Sequence, residues 1–93
     1  MDFKVGDICW LKPYDEVRDH TGIFYHTWER LAKFPVRITS VNREDWEITI
    51  HTMDPENVDD WHWMVRKYAL YPPMQKNELV QYDTDTFPSV VTL

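Results

Sequence analysis

Glycine is almost missing from this sequence, with two residues in 93, Gly6 and Gly22. Gly-rich phosphate-cradling loops are therefore excluded, and few turns can use positive φ cheaply. Cysteine occurs once. Cys9 has no internal disulfide partner, so the sequence predicts a reducing, cytoplasmic setting. No apolar run approaches the length of a membrane span, and no charged-then-apolar leader opens the chain. Bases are outnumbered by acids, ten against sixteen, for a net charge of −6. That balance works against general phosphate binding, which draws its affinity from Lys and Arg.

Aromatic residues are plentiful: five Trp, five Tyr and four Phe. A chain of this length makes one domain that buries roughly 60–65% of its unfolded surface, so each core aromatic counts. The organising stretch is Pro35–Met53. Val36, Ile38 and Ser40 alternate with Arg37, Thr39 and Val41; after a polar turn at Asn42–Asp45, Trp46, Ile48, Ile50 and Thr52 alternate with Glu47, Thr49, His51 and Met53. A period of two on both arms predicts a hairpin with Trp46, Ile48 and Ile50 facing inward. A lone hairpin is marginal in water, so the flanks must complete a sheet.

Ahead of the hairpin, Phe3 and Val5 lead through Gly6-Asp7 into an apolar strand, Ile8–Leu11, stopped by Lys12-Pro13. Tyr14–Phe34 is a long connection with a turn at Thr21-Gly22, a short strand over Ile23–Tyr25, and over Trp28–Lys33 either a short helix capped by Thr27 or, as the competing reading, a short extended stretch. After the hairpin come a turn at Asp54–Asn57, a strand over Val58–Val65, one helical turn at Lys67–Leu70, and a closing Leu70-Tyr71 strand before Pro72-Pro73.

This order resembles small SH3-like β-barrels. The resemblance rests on Phe3-Lys4-Val5-Gly6-Asp7-Ile8-Cys9-Trp10-Leu11, on the hairpin turn at Asn42–Asp45, and on Trp63–Leu70 running into Tyr71-Pro72. Cys9 stands where such barrels often carry a second Val. The resemblance implies an all-β, five-stranded barrel over residues 1–73, with a long first loop and one short helical turn. Residues 74–93 form a C-terminal extension, partly ordered or dependent on a partner. Barrels of this kind mostly bind peptides, proteins or nucleic acid. The acidic-aromatic loop motif of peptide-binding SH3 domains is not evident here.

No residue pattern signals catalysis. Cys9 lies in an apolar strand, where a thiol behaves as a small hydrophobe. Ser40 and Ser89 lack a positioned base. His51 and His62 approach each other on the outer face of paired strands, but zinc sites need three or four convergent ligands. The expectation is no enzyme, no cofactor and no metal.

The aromatics point to contact with a partner. Trp10, Trp46 and Trp63 are assigned to the core, while Tyr14, Tyr25, Trp28 and Trp61 are assigned to an exposed binding surface. The acids are concentrated as well. Between Asn42 and Trp61 lie Glu44, Asp45, Glu47, Asp54, Glu56, Asp59 and Asp60, with Arg43 the one base. Glu44, Asp45, Glu47, Asp59 and Asp60 complete the expected partner surface, facing a protein with a basic surface. In size and charge the chain is similar to the small proteins with which phages inhibit host machinery. The alternative is a nucleic-acid-binding barrel using Lys12, Arg18, Arg30, Lys33 and Arg37.

Overall fold

The computed structural model describes residues 2–57 and 61–75. Four strands form an antiparallel sheet in the order β1-β2-β3-β4: β1 Ile8–Cys9, β2 Val36–Asn42, β3 Glu47–Thr52 and β4 Trp63–Arg66. One helix, α1 Tyr25–Leu31, and short 3-10 turns at Tyr14–Glu16 and Lys67–Ala69 complete the regular structure. The fold is thus mostly strand, as the alternation predicted, with one helix laid into the long connection.

The hairpin β2–β3 is centred where expected, but its register carries a correction. Ile38 pairs with Ile50, yet Ser40 pairs with Thr49, so Thr39 is an extra residue on β2. This β-bulge reverses the alternation beyond it. Ser40 turns outward, and Val41 packs against the core in its place. Burying Val41 rather than a hydroxyl is the physical reason. Trp46 is corrected too. It has φ 55 and lies in the turn before β3, half-buried at the core margin, not on the inward face of the strand.

The short strand expected over Ile23–Tyr25 is absent, and the helix starts at Tyr25 with no side-chain cap. Thr27 is inside it. A seven-residue helix is held by packing more than by propensity, and here Trp28 and Leu31, one turn apart, drop into the core beside buried Ile23. Trp28 joins Cys9, Leu11, Val36, Ile38, Ile48, Ile50, Val65 and Leu70 in one cluster.

Beyond β4, the turn Lys67–Ala69 forms as predicted. The chain then returns along β1: Leu11 and Leu70 form a bridge, the Lys12 N–H donates to the Ala69 carbonyl (2.8 Å), and the Tyr71 N–H to the Trp10 carbonyl (2.9 Å). The Asp54–Asn57 turn also forms, with the Asp54 carboxylate accepting the Glu56 N–H at 2.9 Å. β4 starts at Trp63, later than the expected Val58. Val58–Asp60 and the extension from residue 76 onward lie outside the described residues.

Candidate functional site

The long connection is folded, and it builds one side of a concavity. His20, Thr21, Gly22 and Ile23 make a tight turn with φ 50 at Thr21 and φ 80 at Gly22, closed by the Ile23 N–H on the His20 carbonyl at 2.8 Å. Two ties hold this turn to β4: the Thr21 hydroxyl donates to the Met64 carbonyl, and Arg66 pairs with Asp19 at 3.3 Å. The Thr21 backbone N–H above all holds the Asp19 carboxyl below its usual range; desolvation opposes it, and Arg66 and His20 add to the lowering.

The turn delivers His20 onto Tyr14. The two rings stack at 3.7 Å between centroids, and His20 Nε2–H donates to the Tyr14 carbonyl at 2.9 Å. Tyr25 and Trp28 meet Tyr14 edge-on at 5.1 and 6.1 Å. Edge-on and stacked aromatic pairs of this kind add to the gain from burial. Beside the cluster opens a cleft of about 540 Å³, walled by Trp10, Pro13, Tyr14, Tyr25 and Tyr71 and floored by Trp28. Its rim is acidic. Asp15 and Glu29 line it, and Glu16 accepts from the Tyr71 hydroxyl at 3.4 Å. Glu29, one helical turn from Tyr25, pushes that phenol's pKa up.

Of the aromatics assigned to an exposed surface, Tyr14 and Tyr25 come together here, and Tyr25 is 47% exposed. Trp28 is the correction. It is 0% exposed, and its indole N–H is spent on the Lys12 carbonyl at 2.8 Å. Burial makes it the floor of the cleft and a core residue, not a contact. Trp61 is 67% exposed but stands elsewhere, stacked on Trp63 at 6.0 Å. A second cleft of about 180 Å³ lies there, lined by Thr27, Arg30, Leu31, Asp54, Trp61 and Trp63. Helix α1 separates the two clefts, since Tyr25, Trp28 and Glu29 face one and Thr27, Arg30 and Leu31 the other.

The acidic residues divide similarly. Glu44 and Asp45 are exposed, but the Asp45 carboxylate accepts the Glu47 N–H at 3.3 Å and so shapes the turn. Glu47 pairs with Arg66 at 3.2 Å and is half-buried. Asp59 and Asp60 lie outside the described residues.

Sequence reasoning missed Trp10, Tyr71 and Glu29 as walls of the cleft. Trp10 reads as core because it follows Ile8 and Cys9, yet it is half-buried and faces the cleft. Its one legible signal was the closing Leu70-Tyr71 strand, which sets Tyr71 against Trp10.

Cys9 is fully buried, and burial first, with Asp7 second, pushes its thiol pKa up to about 12. At neutral pH it is no nucleophile. His51 and His62 do meet, with ring centroids 4.9 Å apart. Among the described residues no group of three or more His, Cys, Asp or Glu is placed to hold a metal ion, and no helix is long and apolar enough to cross a membrane. No protein-family model matches the chain, and no curated protein or solved structure does either.

Proposed function

We propose that this protein is a small non-enzymatic interaction module that takes a basic segment of a protein partner into the aromatic cleft. The observation that carries the reading is the cleft itself: Trp10, Tyr14, Tyr25 and Tyr71 around a rigid Trp28 floor, with Asp15 and Glu29 at the edge. Tyr and Trp supply large contact area at small entropy cost, and they are the residues that dominate interfaces. Acid beside aromatic suits a Lys or Arg, which meets a π face and a carboxylate at once. A preformed wall also spares the binding reaction the cost of ordering. The cytoplasm is the proposed setting, and inhibition of host machinery by a phage-encoded protein is one role such a module fits.

For the architecture, an SH3-like five-stranded barrel is the proposal. Its support is the return of residues 69–71 along β1, by the Leu11–Leu70 bridge and its two flanking hydrogen bonds. That pairing would make Leu70-Tyr71 the fifth strand and leave β1 no open edge.

Selection from a random peptide library tests the functional reading. Enriched peptides should carry Lys or Arg beside apolar residues. Their affinity should fall about tenfold or more for Tyr71→Ala, as expected of an interface anchor. Peptides that bind Tyr71→Ala and Tyr25→Ala as well as the native chain would place the contact elsewhere. Selective, salt-sensitive binding of single-stranded nucleic acid would favour the alternative module.

A further inference from the structure

We propose that His51 and His62 form a chelating site for a divalent transition-metal ion of the zinc type, with Thr39 as the residue that positions it. Ile50 pairs with Trp63 on the β3–β4 ladder, so His51 and His62 are the next cross-strand pair. Ile50 points into the core, and alternation turns His51 to the opposite face. His51 is half-buried and His62 exposed.

The spacing suits a shared ion. Two imidazoles bound through nitrogens at about 2.0–2.1 Å each place their ring centre about 3.2 Å from the metal, so near-tetrahedral angles set the centres about 5 Å apart. The observed separation is 4.9 Å.

The hydrogen bonding also prepares a ligand. Thr39 Oγ1 lies 3.3 Å from the Thr49 carbonyl and 3.1 Å from His62 Nδ1. With the hydroxyl proton on the Thr49 carbonyl, the hydroxyl oxygen accepts from Nδ1–H. In that arrangement the His62 lone pair is on Nε2, where a metal would take it. A hydrogen bond to the second imidazole nitrogen is how metal-ligating histidines are usually held. Thr39 is the bulged residue of β2. Core alternation would be complete without it, since Ile38 and Val41 would then face inward with Ser40 between them facing out. Bulges often re-aim one side chain beside a site, and here the re-aimed side chain is Thr39.

Two protein ligands are fewer than the three of an open zinc site or the four of a closed one, so the pair makes a weak surface chelate with water in the remaining positions. Arg37 stands opposite His51 across the β2–β3 ladder, which moderates the affinity for a cation. A bound ion would tie residue 62 to β3 and so stabilise the native state by mass action.

Titration of the full, tag-free chain with Zn²⁺ tests this. One ion per chain should bind by calorimetry, and Tm should rise with Zn²⁺ concentration. His62→Gln and His51→Gln should each abolish both effects while the circular dichroism stays native. Thr39→Val should weaken binding roughly tenfold or more, the usual cost of losing such a support. His26→Gln should change nothing. Imidazole nitrogen NMR on the native chain gives a reading free of variants: Zn²⁺ should shift His51 and His62 Nε2 selectively. The proposal is overturned if no saturable binding occurs, if binding survives both Gln variants, or if only His20 and His26 resonances move.

Discussion

Trp28 and Trp46 show how much one side chain's setting decides. Trp28 is wholly enclosed, touches the aromatic cluster and donates its indole N–H to Lys12. Trp46 sits at the core margin under the Lys67 ammonium, 4.7 Å from its ring centre. Trp28→Ala should therefore cost about 3–5 kcal/mol, close to the whole stability of many small domains. Trp46→Ala should cost about 1–2 kcal/mol, a typical single-site loss. Urea melts of the two variants check this, and a larger loss at Trp46 would reverse the order. Gly22 makes a different kind of contribution. A Cβ there would meet nothing within 4 Å, but φ is +80. Gly22→Ala should lose about 1–2 kcal/mol through backbone strain alone, with an unchanged structure. Asp19 adds a pH dependence. Its pKa is lowered from 3.8 on folding, by the Thr21 N–H first and then Arg66. Its contribution is present above the unfolded value and is lost as pH falls below about 4 toward the folded one. Asp19→Asn should be less stable than the native chain at pH 7, and the difference should shrink by pH 3. A gap that stays constant would show that the carboxylate's charge is not involved.

At the scale of elements, Thr39 is the test of how the sheet is built. Register shifts at this one residue between Ile38 and Ser40. Its deletion should give a regular ladder with the same inward residues, so a cooperative melt should survive within about 2 kcal/mol of the native chain. Failure to fold would mean the bend, not only the side chain, is required. The hairpin, the Asp54–Asn57 turn and the Lys67–Ala69 turn were legible because each rests on local rules: period two, an Asp-Pro turn, a short apolar-polar run. The bulge was not legible. Period two spans Val36–Ser40 in the sequence, and only the competition between Ser40 and Val41 for an inward place breaks it. The start of α1 was hidden for a similar reason. Ile23-Phe24-Tyr25 has strand propensity and Thr27 is a good cap, yet burial of Trp28 and Leu31 overrides both.

For the whole molecule, the sequence put Tyr14 and Tyr25 at the contact surface but not the walls contributed by distant segments. Trp10 and Tyr71 are 61 positions apart, and the pairing of their two segments, through the Leu11–Leu70 bridge and its flanking hydrogen bonds, brings them into one cleft. Trp61 looked equivalent to Tyr25 in the sequence, but α1 stands between them. Charge is likewise redistributed by folding. Arg66, remote in sequence from Asp19, pairs with both it and Glu47, one positive charge shared by two carboxylates, so the Glu44–Glu47 turn is less acidic in space than it reads in order. The acidic rim of the cleft instead comes from Asp15, Glu16 and Glu29. The most direct test is amide NMR on the full chain titrated with a selected basic peptide. Shifts should cluster at Trp10, Tyr14, Tyr25, Glu29 and Tyr71, and should weaken as salt screens the rim. Shifts gathered at Glu44–Glu47 or around Trp61, with the cleft residues unmoved, would contradict the account.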